Sequence, residues 1–289
     1  MGGGRGIRSR PAWIPVFICL ATKAVHLEVV SEYSTAAFLA AFDRFCSRRN
    51  KPSKMHSDRG TNFQGADKEL RQAFRELRSD PSVQARLAND GIAWQFIPPA
   101  APHFGGLWEA GVKSMKHHLI RILGAHTPTF EELSTLVCRI EACMNSRPIG
   151  PINDDVESLD TLTPGHFLVY RNFTSVPRPS LDNIPENRLS RWQLMRQLLE
   201  QFWREWSNDY IRSCQHRTKW QNRTTSLKVG QIVLLRNDNL PPTKWNLGRI
   251  TRCHPGSDGL TRVVSVKTAT SEYTRPISKL ALFPINIDE

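Results

Sequence analysis

Residues 13–49 read WIPVFICLATKAVHLEVVSEYSTAAFLAAFDRFCSRR, and the change of period within them sets the fold class. Residues 13–20 and 25–30 are short apolar runs rich in β-branched residues, joined by ATKA, which predicts two strands of a hairpin. From Ser34 the spacing changes. Phe38, Leu39, Phe42, Phe45 and Cys46 recur at helical intervals, Ser34 or Thr35 supplies an N-cap, and arginines sit at the C-terminal end, where they complement the helix dipole. A hairpin feeding a helix points to a layered α/β unit.

Lys51-Pro52 closes that helix and residues 54–57 predict a short strand. The polar turn Asp58-Arg59-Gly60-Thr61-Asn62-Phe63 follows directly, and a carboxylate at a strand end can be held rigidly while staying exposed. Residues 67–88 predict a helix interrupted near Asp80-Pro81, and residues 94–97 another short strand. A long helix is predicted over residues 107–123, with Trp108, Val112, Met115, Leu119 and Ile122 as its apolar stripe, and a further one over residues 129–146. Residues 147–187, rich in Pro, Asn and Asp, predict an extended connection. A helix over residues 189–211 follows, with Trp192, Met195, Leu199, Phe202, Trp206 and Tyr210 close to one face. From Val229 the short runs GQIVLLR, WNLGRITRC, TRVVSVKT and EYTRPISKLALF have the spacing of a small all-β barrel.

The length of 289 residues fits roughly two domains. With 39% hydrophobic residues, 13 Phe and 8 Trp there is enough apolar material for packed cores, which excludes a wholly disordered or fibrous chain. No apolar run approaches the length of a membrane span and the opening MGGGRGIRSRP carries no apolar signal segment, so an intracellular protein of nucleus or cytoplasm, with no membrane partner, is expected. The six cysteines are dispersed, as in a reducing compartment; Cys253-His254 lacks the further ligands of a zinc site. Charge is unevenly distributed. Residues 188–289 hold 17 basic and 8 acidic side chains of the 39 and 27 in the whole chain, so the surplus of +12 is concentrated in the last third. That favours a polyanion, nucleic acid above all, as a partner of the C-terminal region.

Asp58 at a predicted strand end and Glu109 in the first turn of a helix form the candidate chemical pair. Glu109, Lys113 and Lys116 fall at i, i+4 and i+7, on the face opposite the apolar stripe. On the helix alone this reads equally as a solvated face with an ordinary Glu-to-Lys pair, and Asp58 as a turn-capping residue. Gly105 and Gly106 allow close backbone approach to a ligand. Separated carboxylates on α/β scaffolds also suit Mg²⁺ or Mn²⁺, and two such ions stabilise attacking and leaving oxygens in phosphodiester chemistry.

Three motifs then occur in order: FICLATKAVHLE at residues 17–28, HSDRGTNF at 56–63 and PHFGGLWE at 102–109. Together they resemble the integrase region of BEL/Pao-type LTR retrotransposon polyproteins. Asn145-Ser146-Arg147-Pro148 and the LTPGHFL of residues 162–168 resemble the segments that follow the core in that family, and residues 191–284 resemble its C-terminal domain. The resemblance implies an RNase H-like core whose D,D,E triad binds two divalent metals for 3′-end processing and strand transfer. It makes Asp58 the second Asp and Glu109 the Glu, both catalytic and metal-binding. It sets Lys113 and Lys116 on the element's DNA ends and Thr61 and Asn62 near target DNA. Double-stranded DNA and further copies of the chain are the partners it implies.

The resulting division is a leader at 1–12, an incomplete core at 13–146, an extended connection at 147–187, a Trp-rich helical linker at 188–228 and a basic SH3-like β domain at 229–285. The fold expected is α/β: an RNase H-like mixed sheet with flanking helices lacking its first strand, then a helical connection and a small SH3-like barrel. The first Asp of the triad belongs on a strand ahead of Trp13, yet residues 1–12 contain neither Asp nor Glu, so an N-terminally truncated and catalytically incomplete chain is expected. Glu28 is not expected to substitute, because the family carries it beside a normal Asp. Without that strand the hairpin and the strand at residues 54–57 should lack their shared neighbour. In the β domain Arg249, Arg252 and Lys267 are candidate DNA-binding residues, a generic solvated basic surface being the alternative, and Trp245 is expected to pack rather than stack on bases. A DNA-binding remnant without catalysis and an RNase H-type nuclease are the competing readings; the latter leaves Lys113, Lys116 and the basic C-terminal region unexplained.

Overall fold

A computed structural model describes residues 9–57, 93–96, 106–153, 158–176, 178–215, 227–237, 240–257 and 259–283. The protein is of mixed α/β type and divides into two compact units, Met1–Cys138 and Arg139–Glu289.

In the first unit, β1 (Val16–Ile18) and β2 (Val25–Leu27) pair antiparallel, Phe17 opposite His26. Both are shorter than the apolar runs that contain them. Pro15 has no N–H to donate, so the ladder stops there, although its carbonyl accepts from Glu28 N at 3.1 Å and an isolated bridge joins Trp13 to Val30. Helix α1 (Thr35–Arg49) starts at Ser34, whose side chain accepts from Ala37 N at 3.1 Å. Its Phe38, Phe42 and Phe45 pack with Phe17 and with Met55 of β3 (Lys54–Ser57). Strand β3 pairs in parallel with β4 (Ala93–Phe96), in a register that ends at Ser57 opposite Phe96. Among the described residues, β1–β2 and β3–β4 are separate two-stranded sheets, so no continuous mixed sheet joins them. Helix α2 (Gly106–Leu123) buries Met115, His118, Leu119 and Ile122. The helix expected at 67–88 lies outside the described residues.

Helix α3 (Phe130–Asn145) opens on a reciprocal cap: Glu132 N donates to Thr129 Oγ1 and Thr129 N to the Glu132 carboxylate. The boundary between the two units falls inside it. The stretch expected to be an extended connection is more ordered than its composition suggests. Strands β5 (Gly150–Pro151) and β6 (Thr161–Leu162) pair, and α4 (Pro164–Val169) follows with Thr163 and His166 capping each other. Gly165 is required there, since a Cβ would come within 2.7 Å of the Phe173 ring.

Helix α5 (Arg191–Cys214) buries Met195, Leu198, Leu199, Phe202, Trp203, Trp206 and Ile211. Trp192 departs from the expected stripe: it is 51% exposed, with the Arg178 guanidinium 5.5 Å from its ring. Strands β7 (Ile232–Leu235), β8 (Leu247–Pro255), β9 (Thr261–Thr268), β10 (Glu272–Pro276) and β11 (Leu280–Leu282) form one antiparallel sheet in the order β10-β9-β8-β7-β11. All four residues of β7 are buried because both its faces are covered. Ile232 and Leu234 join Ile211 of α5, while Val233 and Leu235 join Ile250, Val264, Val266 and Leu280. Strand coverage on both faces explains a continuous apolar run without alternation.

Gly248 of β8 sits where the sheet is tightest, since a Cβ would lie 2.4 Å from Val266 Cγ1 and 3.0 Å from the Lys267 carbonyl oxygen. Gly248→Ala is expected to destabilise the protein by about 1–3 kcal/mol through overpacking, read from the midpoint of urea unfolding.

Candidate nucleic-acid interface

The outer face of the five-stranded sheet depends on one irregularity in β8. Ile250 faces Val266, but the next paired residue is Arg252 opposite Ser265, so Thr251 is an extra residue. Simple alternation would turn Arg252 toward the core and Cys253 outward. The bulge reverses both: Cys253 packs on the core cluster and Arg252 is exposed. Thr251 fastens the bulge: its hydroxyl donates to Glu272 Oε1 at 2.5 Å and lies within 3.2 Å of the Ser265 carbonyl oxygen.

Arg249 and Lys267 are directly opposed across β8 and β9, so Arg249, Arg252 and Lys267 share this face. They differ in what holds them. Arg249 is half-buried, and its guanidinium donates to the carbonyls of Gly230 at 2.6 Å and Ser158 at 2.8 Å, clamping the sheet to the segment before β6. Arg252 and Lys267 are exposed, Lys267 beside Glu272 of β10. His254 meets Ser265 Oγ at 2.9 Å, and the Cys253 thiol donates to the Leu227 carbonyl.

On the same face, over β7, where Ile232 lies opposite Arg249, Trp245 packs edge-on against Trp203, Trp206 and Tyr210, at centroid distances of 4.9, 6.0 and 5.4 Å. Its indole N–H donates to Ser146 Oγ at 3.1 Å, and Ser146 donates in turn to the Cys143 carbonyl. Tyr210 O–H donates to the Pro148 carbonyl, and Arg147 to that of Met144. The Asn145-Ser146-Arg147-Pro148 motif is therefore a buried junction. Burial raises the Tyr210 pKa and lowers that of Arg147; it pushes the Cys143 thiol up to about 12, with Arg139 opposing, so Cys143 stays protonated and packs as an apolar group.

In the first unit, Glu109 falls in the first turn of α2, with Lys113 and Lys116 exposed farther along and Met115 and Leu119 buried. Asp58, Thr61 and Asn62 lie outside the described residues, Asp58 directly after the last residue of β3. Glu28 is committed to the fold. Only 5% exposed, it receives His26 Nε2 at 3.0 Å and Arg48 Nη1 at 3.0 Å on one oxygen and Arg44 Nε at 2.6 Å on the other. Arg49 Nε donates to His26 Nδ1 at 3.3 Å, so the imidazole bridges Arg49 and Glu28. Among the described residues no group of three His, Cys, Asp or Glu side chains could hold a metal ion, and no helix is long and apolar enough to cross a membrane. Neither the bulge nor the Glu28 cluster was legible beforehand; the nearest signal was the HLE of residues 26–28 beside an arginine-rich helix end.

Residues 190–283 match a family of unknown function (DUF5641). No curated protein matches the chain. Among solved structures it is similar to a chain of the simian T-cell lymphotropic virus intasome in complex with PP2A regulatory subunit B56 gamma, at 11% identity and a TM-score of 0.37, covering 93% of this chain and 72% of that one. A likeness of that size does not establish a common fold.

The two arginines of the outer face should separate in a stability measurement. Arg249→Ala is expected to cost about 1–3 kcal/mol, because two carbonyls lose a charged donor, whereas Arg252→Ala should stay within about 0.5 kcal/mol of the parent in urea unfolding.

Proposed function

We propose that this chain is the DNA-handling region of an integrase-type protein, of the kind found in BEL/Pao LTR retrotransposons, in which Asp58 and Glu109 belong to one carboxylate site and the C-terminal sheet grips duplex DNA. The observation that carries the reading is the parallel pairing of β3 and β4 up to Ser57 and Phe96. Parallel strands release the chain at the same end. Asp58 follows β3 there, and residues 97–105 lead from β4 to the helix whose first turn holds Glu109. Sites on α/β sheets form at such carboxyl ends.

Two carboxylates are oxygen donors suited to Mg²⁺ or Mn²⁺, and such an ion when bound stabilises charge on a phosphoryl oxygen. In this reading Lys113 and Lys116, one and two turns along from Glu109, hold phosphates of the element's ends, and Thr61 and Asn62 meet the target strand. The activity of the parent enzyme is 3′-end processing and strand transfer by an assembly of several copies, in nucleus or cytoplasm. The sheet order β10-β9-β8-β7-β11, with a 3₁₀ turn at Ile277–Lys279 before the last strand, supports an SH3-like barrel as the DNA-binding part, and the first unit is read as an RNase H-like core. Arg252 and Lys267 are its proposed phosphate contacts. Arg249, on the same face, anchors it through the Gly230 and Ser158 carbonyls.

A second reading, DNA binding without turnover, is favoured by Glu28. Its oxygens are taken up by His26, Arg44 and Arg48, so it supplies no third carboxylate to a metal site.

The full chain should bind a short fluorescent duplex with little sequence preference, and the logarithm of its affinity should fall linearly with that of salt. Replacing Arg252 and Lys267 by Ala together should make that slope shallower by about 2, near 0.9 for each phosphate no longer neutralised. Absence of salt-sensitive binding at low ionic strength in fluorescence anisotropy would contradict the proposal.

A further inference from the structure

We propose that the C-terminal end of α1 and the strand after it form a second phosphate-contact surface for duplex DNA, centred on Arg48, Lys51 and Lys54. The inference rests on the DNA-binding reading above and adds to it a surface in the first unit, remote in sequence from Lys113 and Lys116. Between Arg44 and Ser57 the chain carries five basic residues and no acidic one.

The arrangement is built rather than incidental. Arg44 and Arg48 both bind the single buried carboxylate of Glu28, and Arg49 is held by the His26 ring, so three guanidinium groups are fixed around one negative charge. Arg48 is still 51% exposed. After Arg49 the backbone turns sharply: Asn50 takes a φ of 69°, and its side-chain oxygen accepts from Lys51 N at 2.8 Å. Pro52 follows, and β3 begins at once with Lys54. Met55 of that strand packs into the Phe17 and Phe42 cluster, so the alternation of β3 directs Lys54 and His56 to the exposed side.

Two simpler accounts leave part of this unexplained. Cations in the last turn of a helix offset its dipole, which covers Arg48 and Arg49 but not Lys51 or Lys54, beyond the helix. Neutralising Glu28 needs one positive charge, and two guanidinium groups already reach it. The remaining positive charge lies on exposed side chains that follow one another along the chain, a spacing of cations that suits the regular phosphates of a duplex. Guanidinium groups held in place by ion pairs lose little entropy on meeting a phosphate.

The test uses the full chain and a short fluorescent duplex across a salt series. Lys51→Ala with Lys54→Ala is the decisive variant, since neither lysine takes part in the Glu28 cluster and the fold should be unchanged by circular dichroism. Adding Arg48→Ala is the second variant. The lysine pair should weaken binding several-fold at low salt and make the logarithmic salt slope shallower by about 1–2. Arg171→Ala with Arg188→Ala removes the same charge from exposed sites of the second unit and should change the slope less. If the parent binds and the lysine pair binds like it, this surface is overturned while the C-terminal grip stands. An equal loss in both pairs would reduce the effect to net charge and overturn it too. A lysine pair that binds DNA normally but loses binding to polyglutamate would assign the surface to an acidic protein instead. A parent that binds no DNA would end both proposals.

Discussion

An indole N–H set among aromatic rings needs an acceptor, and in the second unit Trp245 finds one that joins its helices to its sheet. Ser146 is fixed by donating to the last turn of α3, and it receives Trp245 from the segment that enters β8. Trp203, Trp206 and Tyr210 of α5 close around the same ring, each aromatic pair contributing about 0.5–1.5 kcal/mol beyond its buried area. One side chain thus ties the end of one helix, the middle of another and the sheet together. Tyr210 repeats the device on the Pro148 carbonyl. A partner removed from this junction leaves a polar group in an apolar site, which costs more than the hydrogen bond contributes.

One face of the sheet is filled by its own core, while the other is shared: its β7 side packs on α5 and its β8 and β9 side carries the cations. The extra residue at Thr251 turns Arg252 outward and Cys253 inward, and Arg249 anchors the strand from the same face. The first unit follows a similar economy with charge. Glu28 is a structural carboxylate that gathers cations at one end of α1, whereas of the carboxylates proposed for chemistry one follows β3 in sequence and the other lies in the first turn of α2.

Helices were the most legible elements, because their apolar periods are long. The four predicted from Ser34 or Thr35 to the arginines at 48 and 49, and at residues 107–123, 129–146 and 189–211, fall within three residues of those observed. The strands were legible in place but not in extent, since Pro15 cuts the first ladder in a way that hydrophobicity does not register. Trp192 was misread for a related reason: helical spacing places it near the apolar stripe, yet at the first turn of α5 it meets Arg178 instead of the core. The connection at 147–187 was read from composition, which is blind to the mutual cap of Thr163 and His166 and to the close approach at Gly165. Trp245 packs as expected, though the sequence could not name Ser146 as its partner. The bulge was not legible at all, because one extra residue in a strand leaves no local mark. Of the carboxylate pair, sequence supplied the residues and the β3–β4 pairing a reason for them to meet.

That meeting is the central claim, and metal-directed cleavage tests it most directly. Fe²⁺ supplied with ascorbate and peroxide produces hydroxyl radicals where it binds, and these cut the backbone within reach. If Asp58 and Glu109 share a site, the full chain should be cut both near residue 58 and near residue 109, and Asp58→Asn should suppress both cuts together. Cleavage at only one of the two segments, or cuts that persist unchanged in the variant, would contradict the account.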